Sequence, residues 1–495
     1  MSYLDLLKLA APETIVVLTA LLVLAVDLTS MRGLELRLRF TVGGLLTLAG
    51  CAVAIAWMLV MPVPPNALEG MLVVDPLTQL VKVALLALAV FTVLISIESD
   101  FTHHVGEYLA LILMATAGMM FLVSAGDLLM LFVALEMTSL SLYILTAFNK
   151  RNIRSAEAAL KYFLVGGLSA AFLLFGLSWI YGMAGTTDFH KLAAALAAPG
   201  LDPLLIVALV LAVIGFGFKV AAVPFHLWAP DAYQGAPTPS AAFIASGSKV
   251  ASFFIFAKLM MLGFAGTPLA GSAALPAGAA GWVPVVAVVA AFSMLLGNLV
   301  AIVQSNVKRL LAYSAIAHAG YMLLAVLAHD PEAVASLVYY AATYGLTTIG
   351  AFGVVAVVEQ GAGDSRLSDF AGLCRRAPVV ALCMMVFMLS LAGIPPLAGF
   401  FGKFYLFTAA LKTGAPNLGL LWLVILAVGM SVVSLYYYLQ VLKQIYVADV
   451  LADAGEWRVS VFSQIVLGLL AAGVILLGAI PGWLLSLLRQ ALSVG

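Results

Sequence analysis

The chain has 495 residues, 64% of them hydrophobic and only 9% charged, with 23 Lys plus Arg balancing 23 Asp plus Glu. Globular domains carry about 25% charged residues, so a soluble enzyme is excluded, and no polar block is long enough to fold as a soluble domain. Zero net charge with no extended basic run argues against nucleic-acid binding. Cys51, Cys374 and Cys383 stand too far apart to suggest a disulfide framework, a zinc site or an iron–sulfur cluster.

The amino terminus, MSYLDLLKLAAPE, lacks a basic region and a small-residue cleavage site, so it is expected to be retained. A bilayer core of about 30 Å requires about 20 helical apolar residues. The chain divides into fourteen such segments: 10–29, 40–60, 74–96, 107–124, 127–148, 156–181, 203–225, 238–262, 282–303, 309–328, 333–358, 379–411, 418–440 and 460–486. Runs such as LLVLAV and VVAVVAAF lack the strict alternation of a membrane β-barrel. The expected fold is therefore an all-α polytopic membrane protein.

Lys and Arg concentrate in alternate loops. Thirteen (Arg32, Arg37, Arg39, Lys150, Arg151, Arg154, Lys308, Arg309, Arg366, Arg375, Arg376, Lys443 and Arg458) share one side, and four (Lys8, Lys191, Lys412 and Arg489) lie on the other. The positive-inside rule then places the thirteen in the cytoplasm and both termini outside. Six lysines remain within spans: Lys82, Lys161, Lys219, Lys249, Lys258 and Lys403.

A lysine at mid-membrane costs roughly 2.5–3.5 kcal/mol on insertion scales and usually faces a bundle interior or a wet path. Lysine also loses its proton readily when desolvated and regains it beside a carboxylate, so such residues are candidate proton-loading sites. In chain order, Asp27 and Lys82 stand near span ends and read as interfacial anchors. Glu136 sits near mid-depth in span five and needs a partner from another span, the alternative being a protonated carboxyl hydrogen-bonded to a neighbouring helix. Lys161 follows Glu157 at i,i+4, which suits an ordinary helix pair as well as a relay.

Lys219 lies in GFGFKVAAVPFHLW, where Pro224 removes a helical donor just beyond the lysine. Interrupted helices at membrane depth line cavities and mark ion sites. Lys249, in SAAFIASGSKVASFFIF, is flanked by small residues that permit close helix approach, whereas Lys258 nearer the span end is expected to snorkel. His318 is the one histidine well inside a span, placed to pass protons between lysines, with Tyr313, Ser314, Thr343 and Tyr344 available to order water.

Segment twelve repeats the interruption of segment seven: GIPPLAGFFGKF breaks it at Pro395 and Pro396, and Lys403 follows. Spans seven and twelve run in opposite directions, so two broken lysine-bearing helices indicate an inverted repeat. The expected divisions are 1–106 (helices 1–3), 107–262 (first five-helix repeat), 282–440 (second, inverted repeat) and 460–486 (helix 14).

The runs PFHLWAPDAYQGAPTPSAAFIASGSKVASF, KRLLAYSAIAHAGYMLL and SLAGIPPLAGFFGKFYLF resemble the antiporter-like membrane subunits of proton-pumping NADH:quinone oxidoreductase, respiratory complex I. Within them the chain is most similar to the subunit N family. That resemblance covers nearly the whole chain. It implies that Glu136 pairs with Lys219, that Lys249 and Lys403 continue the proton relay, and that Lys161 and His318 contribute to it. It further implies that NADH, FMN, iron–sulfur clusters and quinone belong to partner subunits, with sister antiporter-like subunits alongside in a bacterial inner membrane. A subunit of a multisubunit cation/proton antiporter and a non-conducting membrane scaffold stand as the alternatives.

Overall fold

The computed structural model describes residues 8–60, 70–196, 203–264, 282–328, 330–413, 419–449 and 459–494. Arg458 and His329 lie outside them. Twelve helices among the described residues are long and apolar enough to cross a membrane. Two shorter apolar helices, Pro203–Lys219 and Pro378–Ala392, are the first halves of the interrupted spans seven and twelve. The chain is thus an all-α polytopic membrane protein of about fourteen spans.

Sparse polar residues explain where the helices start. The Asp75 carboxylate accepts from Thr78 N (2.6 Å) to cap span three, and Asp127 accepts from Met130 N (2.6 Å) to cap span five. Such caps satisfy backbone donors that a lipid environment leaves without water. Span fourteen departs from expectation. Val461–Ala479 ends, and a new helix, Pro481–Val494, begins at a proline whose missing N–H suits a first turn.

The arginine-bearing loops gather at one end of the bundle. There Glu98 pairs with Arg37 (2.9 Å), its carbonyl accepts from Gln360 (2.9 Å), and Asn306 donates to Ser365 (3.0 Å). The opposite end joins Val73 N to Ser124 O (2.7 Å), Leu128 N to Thr187 O (2.9 Å) and Lys412 to Glu332 (3.0 Å).

Burial runs opposite to apolarity. Every residue of span eight, Thr238–Lys258, is buried, although it is the least apolar of the twelve long spans. Spans ten (Val307–Ala328) and eleven (Pro331–Ala362) are nearly as enclosed and pack against it, while spans two, six, thirteen and fourteen present much of their surface outward. Lipid solvates leucine as well as a neighbouring helix does, so hydroxyls, small residues and lysines concentrate inside.

Candidate functional site

The helix of span seven stops at Lys219. Ala221 adopts a left-handed φ of 58°, Ala222 N reaches back to Gly217 O (2.7 Å), and the proline beyond withholds a donor. Lys219, buried, donates from Nζ to Ser139 Oγ (2.8 Å). Ser139 and Glu136 lie on span five, Leu128–Thr146, three residues apart and so on one face.

Glu136 and Lys219 are near enough to interact electrostatically, yet they form no ion pair within 4 Å among the described residues. Glu136 Oε1 is buried without a hydrogen-bond partner. The two expected partners are brought to one place, but the ammonium rests on a neutral hydroxyl one turn away from the carboxylate. The sequence pointed to Glu136 and Lys219; Ser139 was passed over because a serine facing its own helix carbonyl, here Leu135 O at 2.7 Å, is common.

Lys249 extends from span eight into the interior, where Nζ donates to Ala315 O and lies 5.8 Å from the Tyr344 ring centroid. One turn beyond Ala315, His318 is held from both sides. Nδ1 meets Tyr340 OH (2.6 Å), Nε2 meets Tyr438 OH (3.1 Å), and Tyr438 OH meets Ser314 Oγ (2.5 Å). The His318 ring lies 4.9 Å from Tyr344 and 5.6 Å from Tyr321. Tyr321 in turn underlies Lys403 Nζ at 5.2 Å. His318 therefore joins the surroundings of Lys249 to those of Lys403.

Of the four side chains expected to flank this path, Ser314 reaches it through Tyr438 and Tyr344 touches both Lys249 and His318. Thr343 bonds its own helix at Tyr339 O (2.8 Å). Tyr340 lies one turn from Tyr344 on span eleven but was not singled out from sequence. Tyr438, from span thirteen, carried no sequence signal tying it to span ten.

At the second break, Gly393 (φ 89°) ends Pro378–Ala392, and Ala398–Thr413 resumes. A Cβ on Gly399 would fall 1.9 Å from Ser390 O, so glycine alone lets the second half seat on the first. Lys403, buried, folds back to donate to Leu391 O (2.9 Å), Ala392 O (3.0 Å) and Ser431 Oγ (2.8 Å). These are carbonyls at a helix C-terminus, the negative end of its dipole.

Lys161 stands apart from this interior. It forms the expected i,i+4 pair with Glu157 (2.7 Å) and a second with Asp231 (2.9 Å), and its side chain is half exposed. Asp231, in the segment between spans seven and eight, also accepts from Arg309 (2.7 Å). Burial alone would raise its carboxyl, but hydrogen bonds and charge from Lys161 and Arg309 hold it below the usual range.

Two expectations near span ends are corrected. Lys82 is no interfacial anchor: it is buried and pairs at 2.6 Å with Glu13 of span one, which the sequence did not mark. Lys258 does not snorkel but is buried too, its Nζ 3.5 Å from Val123 O. In both cases neighbouring helices cover the residue and deny it a lipid interface. Asp27 accepts from Arg39 Nε (2.8 Å), Arg39 Nη2 (2.6 Å) and Gly106 N (2.9 Å), tying spans one, two and four.

The sequence profile of the NADH:quinone oxidoreductase/Mrp antiporter transmembrane family matches residues 125–434. An Acidobacterium capsulatum protein named NADH-quinone oxidoreductase subunit N 2 is 52% identical, covering 99% of each chain. A Desulforamulus reducens protein named NADH-quinone oxidoreductase subunit N is 43% identical, covering 86% of each. Among solved structures, a chain of respiratory complex I from Thermus thermophilus with bound aureothin superposes with a TM-score of 0.76 at 33% identity, over 96% of this chain and 98% of that one. A chain of the Mrp complex from Dietzia superposes with a TM-score of 0.82 at 22% identity, over 98% and 97%, which speaks to the fold alone. The chain belongs to the NADH:quinone oxidoreductase/Mrp antiporter membrane family, on the branch of NADH-quinone oxidoreductase subunit N.

Proposed function

We propose that this chain conducts protons as a membrane subunit of an NADH-quinone oxidoreductase complex, through Glu136, Lys219, Lys249, His318 and Lys403. The observation that carries the reading is three buried lysines of which, among the described residues, Lys219 has the Glu136 carboxylate nearby while Lys249 and Lys403 rest on carbonyls and a hydroxyl. Lys219, Lys249 and Lys403 lie in interrupted or central spans, and none has an ion pair within 4 Å among the described residues. Burying uncompensated charge is costly, so these groups are suited to exist with and without a proton rather than as permanent cations.

The cycle turns on the distance between Glu136 and Lys219. With the carboxylate at contact, attraction near 4 Å is worth about 4 kcal/mol at an effective dielectric of about 20. That energy changes protonation roughly a thousandfold. Moved onto Ser139, the ammonium keeps one neutral acceptor and can release its proton through water toward Lys249. His318, bonded to two tyrosine hydroxyls and set between Tyr344 and Tyr321, then passes it toward Lys403. Lys161, tied to Glu157 and Asp231 at the rim, is placed to influence the loading side.

The redox chemistry belongs to partner subunits carrying NADH, FMN, iron–sulfur clusters and quinone, with sister antiporter-like subunits in the same membrane. The chain sits in the bacterial inner membrane, its arginine-rich loops cytoplasmic and both termini periplasmic. A cysteine in the 149–155 loop should react with an impermeant thiol reagent only from the cytoplasm; labelling from outside would reverse the orientation. The functional test is the purified complex in proteoliposomes. Lys249→Ala should assemble yet lose most of its proton transport per electron. Normal transport would indicate a scaffold, and a strict sodium requirement would indicate cation antiport.

A further inference from the structure

Beneath Lys249, at the end of the bundle that carries the arginine-rich loops, lies a cavity of about 490 Å³. Its walls include Asp100, Asn149, Asn152, Gln234, Lys308 and Glu359. Lys308, counted from sequence as a loop residue, is buried. Nζ meets Glu359 Oε1 at 3.0 Å, donates to Thr238 Oγ1 at 3.1 Å, and lies 3.4 Å from Ala236 O. Thr238 Oγ1 in turn donates to Glu359 Oε2. Glu359 keeps about a quarter of its side-chain surface, 25%, exposed, while Lys308 keeps 7%.

We propose that Lys308, Glu359 and Thr238 form a gate that admits protons from this cavity to Lys249. The proposal rests on the relay reading above. Its basis is register. Thr238 precedes Lys249 by eleven residues, about three helical turns and 16 Å, so both lie on one face of span eight. Lys308 precedes Ala315 by seven, about two turns and 10 Å, on one face of span ten. Span eleven carries Glu359 below and Tyr344 above. The same three helices thus meet twice, once around Lys308 and once around Lys249. The Tyr233 hydroxyl is buried without a partner and within electrostatic reach of Tyr344.

The gate works by charge cancellation. Lys308 and Glu359, paired at 3.0 Å, shut the upper level off from the cavity. A proton from cavity water converts the Glu359 carboxylate to the acid, which relaxes its hold on the ammonium. Lys308 then gives a proton to the Lys249 amine through the Tyr233 hydroxyl and intervening water. The Lys308 amine is recharged from Glu359, restoring the starting pair.

Glu359→Gln leaves Lys308 as an unpaired buried cation and can impair assembly for that reason alone, so Lys308→Met/Glu359→Gln removes both charges together. With the whole complex in proteoliposomes, the double variant is expected to assemble and to lose proton transport per electron by roughly tenfold or more, because a positioned proton-transfer group contributes about a hundredfold. Transport at the wild-type level in the assembled double variant would overturn the gate, leaving a structural ion pair. Loss of assembly in the double variant would also overturn it, since a gate pair should be removable as a neutral unit. Lys249→Ala is run in parallel. If it also transports normally, the relay reading fails; if it is blocked while the double variant is not, the gate alone fails.

Discussion

Spans seven and twelve are both broken and both deliver a buried lysine to the break, yet they hold it by different means. Lys219 is the last residue before its break and makes one side-chain bond, to Ser139, with the Glu136 carboxylate a turn away. Lys403 follows its break and makes three bonds, two of them to carbonyls at the end of Pro378–Ala392. A carboxylate on a flexible side chain can approach or retreat; helix-end carbonyls cannot. In the relay proposed above, the first lysine is the one to be switched and the second the fixed receiving point.

That contrast can be broken most sharply at Glu136. Glu136→Gln in the assembled complex should lower proton transport by roughly tenfold or more, because the attraction lost at contact is about 4 kcal/mol. Transport within twofold of wild type would remove the switch. Arginine scanning comes next: it retains the charge but does not deprotonate in proteins. Lys219→Arg and Lys403→Arg should both block transport if both lysines carry protons. A functional Lys403→Arg would mean that its three acceptors merely seat a permanent cation.

Ser139→Ala should have a smaller effect. It removes a hydrogen bond to a charged group, worth about 1.5–3 kcal/mol, and drives Lys219 back toward Glu136. Transport should fall several-fold, and combining it with Glu136→Gln should give a non-additive result. Tyr438→Phe removes one of two hydroxyls on His318, worth about 1 kcal/mol, and should slow transport only a few-fold.

The smallest change is expected at the rim. Asp231→Asn should destabilise the isolated complex by about 1 kcal/mol or less, as for other partly exposed pairs. Because the folded state holds this carboxyl below its usual range, the stabilisation is present above the ordinary aspartate value of about 3.9 and is lost as pH falls through the lower folded value. The difference in thermal unfolding between wild type and variant should therefore persist at pH 7 and vanish under strong acid.

Much of the site was legible because membrane insertion makes charge conspicuous. Glu136, Lys219, Lys249 and Lys403 stand out in apolar runs, and prolines announce both breaks. Depth near span ends was less legible. Lys82 and Lys258 look alike to any count of residues from a helix end, and only the covering helices turn them into buried groups. Lys308 shows the same ambiguity: beside Arg309 it reads as a topology marker, yet it sits buried against Glu359 of span eleven.

The sequence by itself determined the approximate number of spans, which loops are rich in Lys and Arg, and that Glu136, Lys219, Lys249 and Lys403 lie well inside spans, since each follows from hydrophobic length and the cost of burying an ion. Tertiary structure decided what each charge touches. Hydroxyls and carbonyls cost too little in lipid-facing sequence statistics to stand out, so Ser139, Tyr340, Tyr438, Ser431 and the carbonyls of Leu391 and Ala392 become visible only when distant helices meet.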